Sequence, residues 1–166
     1  MSNTELIQKI STAFSDGKFP GNENIVAPSY GEEPELVRAH FYGQSDWENL
    51  TPQFLDLDGA ISFLSDVAFR FYLPAFMIAD INEQLNFNDP SIRLCWAVTP
   101  QTENQKIAKV FGSGTIGERA KKCFDEINKE QVNAVVAYLR WKLLQDENNN
   151  TIKQALDHYW LKRIKP

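Results

Sequence analysis

The stretch LSDVAFRFYLPAFMIADINEQL, residues 64–85, decides the fold. Leu64, Val67, Phe71, Ile78, Ile81 and Leu85 recur at helical spacing, and Phe63, Phe69, Leu73, Phe76 and Met77 fill the other faces. Ser65 is placed to cap the helix, and Asp66 lies in its first turn, where the helix dipole favours a carboxylate. A helix over about 63–86 that is apolar on most sides belongs in the middle of a domain. Pro74 lies inside it, so the sequence predicts a kink there and a carbonyl near Arg70 without its helical donor.

Upstream of this helix, residues 2–16 read as an amphipathic helix. Ser2 and Glu5 have capping-box spacing, Leu6, Ile10, Ala13 and Phe14 form the apolar stripe, and Gly17 supplies the stop. Residues 18–31 hold two Pro, two Gly and two Asn and read as a connector. A second helix is expected from Pro34 to Gly43 with Leu36, Val37, His40 and Phe41 inward. Two short helical starts follow at Asp46-Trp47 and Thr51-Pro52, with Trp47, Leu50, Phe54 and Leu57 as their buried residues. Downstream, Ile92, Leu94, Trp96 and Val98 alternate with Arg93, Cys95 and Ala97, which is a strand pattern. A partner strand at Lys106–Phe111 would complete a short β-hairpin over about 92–111. Gly112–Gly117, GSGTIG, is flexible by composition. Asn128 and Gln131 open a helix over 128–145 with a Val132, Val135, Val136, Leu139 and Leu143 stripe. A last helix runs to about Arg163 with Ile152, Ala155, Leu156 and Tyr159 inward. The fold class is therefore mainly α: a single-domain helical bundle, residues 1–166, around a kinked central helix.

The chain has 166 residues, enough for one real core, and its 43% hydrophobic and 23% charged residues exclude global disorder, collagen and coiled-coil rods. Its net charge of −5 disfavours nucleic acid and anionic membranes as partners, because the average field repels phosphate. The charge is uneven. Residues 1–60 carry 3 Lys+Arg against 10 Asp+Glu, whereas residues 61–166 carry 14 against 12. The most apolar segment, Phe71 to Ala79, is far short of the about 20 residues a membrane span needs. The N-terminal MSNTELIQKI has no basic stretch followed by an apolar run, and Cys95 and Cys123 belong to no paired-cysteine motif. Both features point to a cytoplasmic protein with two free thiols.

The run Leu64 to Ala75 resembles a pattern, LSxxAFRxYLPA, of a family of uncharacterised small bacterial proteins. That pattern follows an upstream F-G-x-x-W-x-x-L element. Phe41 to Leu50 corresponds to it here, with Tyr42 inserted between Phe41 and Gly43. The cap at Asn128–Gln131 and the apolar positions after it extend the resemblance over about residues 24–145. It implies a small, mostly helical cytoplasmic domain and brings no activity or site residue with it.

The residues themselves offer several candidates. Arg70, set among aromatics beside Pro74, could clamp an anion, or it could satisfy a backbone carbonyl. With Tyr72 and with His40, a group that could do acid–base work, it would form a ligand pocket or active site at the central helix. Asp56 and Asp58 precede Gly59 and read as turn formers, with paired acids as the alternative. GSGTIG lacks the order of a phosphate-binding loop. Two His and two Cys without ligand spacing give no metal site, and no cofactor is implied. Trp141 and Trp160, if exposed, would mark a partner surface or a homodimer interface. Two functions compete: a non-catalytic binding or regulatory module of the immunity or antitoxin type, whose acidic N-terminal part meets a basic partner, and a small-ligand protein or enzyme built on Arg70, Tyr72 and His40.

Overall fold

The computed structural model describes residues 1–29, 31–108 and 112–164, and it is mainly helical. The chain divides into two compact units, Met1–Pro90 and Ser91–Pro166.

In the first unit the central helix α5 runs from Asp66 to Ile81, continuing through Pro74. Ser65 caps it as expected, its hydroxyl accepting from the Ala68 amide at 3.1 Å. All of α5 is buried except Asp66, Val67, Arg70, Ile78 and Asp80. The helix α1 (Asn3–Phe14) packs along it through Leu6, Ile10 and Phe14, and its Ser2–Glu5 capping box forms. The second helix, α2 (Glu32–Phe41), turns Val37 and Phe41 inward, but Leu36 points to solvent. The short helices α3 (Pro52–Leu55) and α4 (Ala60–Phe63) precede α5, and the four-residue turn of α3 is opened by Thr51 accepting from the Phe54 amide at 3.2 Å. Leu64 therefore ends α4 rather than starting the central helix, and it forms an isolated antiparallel bridge with Val26.

The C-terminus of α5 closes on Glu83, which has φ 57°, a left-handed conformation more often given to glycine. Its amide donates to Asp80 O at 2.9 Å, and the Gln84 amide donates to Ala79 O at 3.0 Å. The chain then folds back over α3. Asp56 accepts from the amides of Asn86 and Phe87 at 2.8 and 2.9 Å, so this carboxylate serves a turn. Burial alone would push the Asp56 carboxyl up. The amides of Phe87, Asn86 and Asn88, with the Asn86 side chain, more than offset this and hold it below its ordinary value.

The second unit contains the correction to the expected hairpin. Residues Pro90–Cys95 form helix α6, and Trp96–Val98 form a 3-10 turn. Alternation over seven residues also contains two i, i+4 pairs. Leu94 and Val98 are buried, while Ile92 and Trp96 are 65% and 49% exposed, so the pattern belongs to two opposite helix faces. Of the second expected strand, Lys106 makes only an isolated antiparallel bridge to Thr115, and positions 109–111 lie outside the described residues. The glycine-rich stretch leads into a helix the sequence reading missed, α7 (Ile116–Asp125), opened by a Thr115–Glu118 capping box. The helix α8 (Lys129–Gln145) has the expected Asn128–Gln131 cap. The chain ends with α9 (Asn150–Ala155), a π-helical turn over Leu156–Trp160, and α10 (Leu161–Ile164). Arg163 donates to Phe124 O and Ile127 O at 2.6 and 3.1 Å, placing a cation on carbonyls at the end of α7. No helix among the described residues is long and apolar enough to cross a membrane.

Asn88 supports the first unit from within. It is 2% exposed, accepts from the Ile61 amide at 3.1 Å, and donates to Leu55 O and Leu57 O at 3.2 and 2.7 Å. Asn88→Ala is expected to destabilise the protein by about 2–4 kcal/mol, because it strands buried backbone groups. Urea unfolding checks this.

Candidate functional site

The residues nominated from sequence in the first unit have structural partners. The His40 ring stacks on Phe54 with centroids 4.0 Å apart, and its Nε2 lies 2.8 Å from Phe54 O, so that nitrogen carries the proton and donates. Tyr72 is fully buried, and its hydroxyl donates to Gln44 O at 2.7 Å. Burial raises the Tyr72 pKa far above its ordinary value, so at neutral pH it is a fixed donor. Phe41 joins the two, with its ring 4.8 Å from Tyr72 and 5.4 Å from His40. Arg70 is half-buried and stands two residues before Tyr72, roughly 200° away around the helix axis. The structure thus gathers His40 and Tyr72 around Phe41 and puts Arg70 on the other side of α5.

Of the two tryptophans considered for an interface, Trp160 is fully buried. Its indole donates to Leu94 O at 2.9 Å and its ring lies 4.9 Å from Phe124, so it lacks the exposure a partner surface requires. Trp141 is half-buried and stacks on Tyr138 at 6.0 Å.

The second unit holds a cluster that sequence reasoning did not find: Glu103, Lys121 and His158. Glu103 sits in the turn after α6, with its amide donating to Thr99 O at 3.0 Å. Its carbonyl accepts from the Gly117 amide at 3.0 Å, which fixes the segment against the first turn of α7. Lys121, one helical turn further along α7, donates to Glu103 Oε2 at 2.6 Å. His158 comes from the π-helical turn, and its Nε2 lies 2.6 Å from Glu103 Oε1. A π-helical turn inside an α-helical segment often marks a functional position. The carboxylate is well covered, its side chain 14% exposed, while His158 and Lys121 remain 30% and 39% exposed. The hydrogen bond from Lys121 lowers the Glu103 pKa against the opposing effect of burial, helped by the bond from His158 and the charges of both partners.

Gly117 makes this arrangement possible. A Cβ there would stand 2.6 Å from Glu103 Cβ and 2.8 Å from its Cα and its carbonyl oxygen. Only a glycine lets the two backbones come so close. In sequence the available signals were the Thr115–Glu118 capping spacing and a glycine inside the first turn of the helix it opens. Nothing local ties either to His158, 55 residues from Glu103. Among the described residues, no three His, Cys, Asp or Glu side chains gather to hold a metal ion, and Cys95 and Cys123 are buried free thiols.

Two outcomes follow for the cluster. Gly117→Ala is expected to cost about 1–3 kcal/mol through overpacking against backbone, read as a fall in urea midpoint. Glu103 has a folded-state pKa below its ordinary value of 4.5. Its contribution is therefore present above that value and lost as pH falls through the folded pKa. The stability difference between the wild type and Glu103→Gln should be largest near neutral pH and shrink in acid, as followed by thermal melts across pH 3–7 (roughly the window bracketing a carboxylate).

No curated protein and no solved structure matches the chain. Residues 2–164 match the profile described as Family of unknown function (DUF6714). The match spans almost the whole sequence and takes in both units, so the chain belongs to that family.

Proposed function

We propose that the protein is a non-catalytic binding module of the immunity or antitoxin type, acting in the cytoplasm on a protein partner with a basic surface. One observation carries this reading: the charge follows the boundary between the units. Met1–Pro90 carries 4 Lys+Arg against 14 Asp+Glu, a balance of −10, and Ser91–Pro166 carries 13 against 8, a balance of +5. An acidic surface of that strength steers basic partners and repels nucleic acid.

The face of α2 is the part of the acidic unit best suited to contact. Glu32, Glu33 and Glu35 are exposed, and among them Leu36 is 63% exposed, with Tyr42 65% exposed just beyond the helix. Glu32, Glu33 and Leu36 share one helical face. Apolar anchors ringed by charge are the composition of an interface centre with a polar rim. On this reading the polar atoms of His40 and Tyr72 hold the scaffold behind that face.

The test is affinity capture with the full-length chain from cells that make it, at low and high salt. A specific partner of basic pI should be retained at low salt and released at high salt. The triple reversal of Glu32, Glu33 and Glu35 to Lys should weaken it at least tenfold, about 1.4 kcal/mol, and Leu36→Ser with Tyr42→Ser should speed its release. Capture that ignores both sets of changes would sink the proposal. A stable dimer in light scattering that is lost in the Leu36 and Tyr42 variants would assign the face to a second copy of the chain instead.

A further inference from the structure

We infer that His158 is a nucleophilic imidazole poised at Nδ1, and that the second unit is a site of histidine phosphorylation by a small energy-rich phosphoryl donor. An ionised carboxylate can only accept a hydrogen bond, so the 2.6 Å contact with Glu103 Oε1 puts the His158 proton on Nε2. In the neutral form of the ring, which is the form that reacts, the lone pair is then on Nδ1, and no hydrogen bond to Nδ1 is made among the described residues. The His158 side chain is 30% exposed, so it is not sealed from solvent. Glu103 is itself held by Lys121 and by the close backbone contact at Gly117, so the imidazole is oriented by a group that cannot swing away.

Charge selects the substrate class. The surplus of +5 on this unit attracts an incoming phosphoryl dianion, and Lys121, half-buried and paired with Glu103, offsets the charge of that carboxylate beside the ring, whereas a neutral acyl donor gains nothing from either. In the step, the Nδ1 lone pair attacks phosphorus and an N–P bond forms. With phosphoramidate the P–N bond breaks and ammonia leaves with its electron pair; with an acyl phosphate the P–O bond breaks and a carboxylate leaves. His158 keeps its Nε2 proton, and the positive charge that develops on the ring is balanced by Glu103.

The full-length protein supplies its own control. His40 is the only other histidine, and its Nε2 also donates, but to the Phe54 carbonyl rather than to a carboxylate. The protein is incubated with phosphoramidate in one arm and acetyl phosphate in the other. Acid-labile adducts are followed by intact mass, and the substituted nitrogen is identified by phosphorus NMR. His158 should be phosphorylated at Nδ1 roughly tenfold or more faster than His40, and Glu103→Gln should slow it by a similar factor, because the positive charge developing on the ring then lacks its carboxylate. Reaction in only one arm would identify the donor type. The inference is overturned by equal labelling of the two histidines, by substitution at Nε2 of His158, by an unchanged rate in a folded Glu103→Gln, or by no labelling in either arm. The regiochemistry is read on the wild type, so the result stands even where the variant folds poorly.

Discussion

The first ninety residues depend on one requirement: a sixteen-residue helix that is apolar on nearly every side has to be covered. No surface position satisfies it, because Phe69, Phe71, Leu73, Phe76 and Met77 point in different directions around the axis. The chain before it is arranged as cover. The Leu6, Ile10 and Phe14 stripe of α1 lies along it, Phe19 meets Phe71 edge-on at 5.7 Å, and Phe41 fills the space beside Tyr72. What cannot be apolar is tied to backbone: the Tyr72 hydroxyl, the His40 imidazole and the Asn88 amide each reach a main-chain group. These polar contacts satisfy carbonyls that short helices and turns leave open, so the packing of α5 and the irregular chain around it are solved together.

The second unit solves a different problem. Its helices α6 and α9 have six residues each, too short to persist alone. Side chains reaching distant backbone join them. Trp160 inserts into the core and holds Leu94 O, Arg163 holds the end of α7, and Glu103 binds one side chain from α7 and one from the π-helical turn. A carboxylate so nearly covered is tolerated because each of its oxygens receives a charge-assisted bond.

Where a local rule and a tertiary need agreed, the sequence was readable. The caps at Ser2, Ser65 and Asn128 are where residue spacing puts them, and the stripes of α1, α8 and the C-terminal segment are buried as spacing predicts except for Ala13 and Leu143, which are half-buried. The failures have physical causes. Ile92 to Val98 alternates because two helical faces each contribute a pair, and seven residues are too few to separate the two periods. Leu36 looked like core because its neighbours Val37 and Phe41 are; whether an apolar residue on the edge of a stripe turns inward depends on what packs there. The helix after GSGTIG was hidden by its glycines, although its capping box is explicit in Thr115 and Glu118. The Glu103 cluster depends on contacts 18 and 55 residues apart, and no periodicity encodes those.

The charge partition bears on how the proposed module would work. At physiological salt the field of exposed charges decays over about 8 Å, so the −10 balance of the first unit would attract the proposed partner only near contact. Electrostatics of this kind raises the rate of encounter and leaves the lifetime of the complex to desolvated contacts. On the acidic α2 face, the groups able to supply that lifetime are the exposed Leu36 and Tyr42. In the second unit the same physics runs with the opposite sign. A phosphoryl group on His158 would add a charge of about −2 beside a +5 balance, lowering the basic field by nearly half without touching the apolar contacts. In the proposed module steering and retention would thus be carried by different residues, and a change of charge would alter the rate of association while the lifetime of the complex stayed with the apolar anchors.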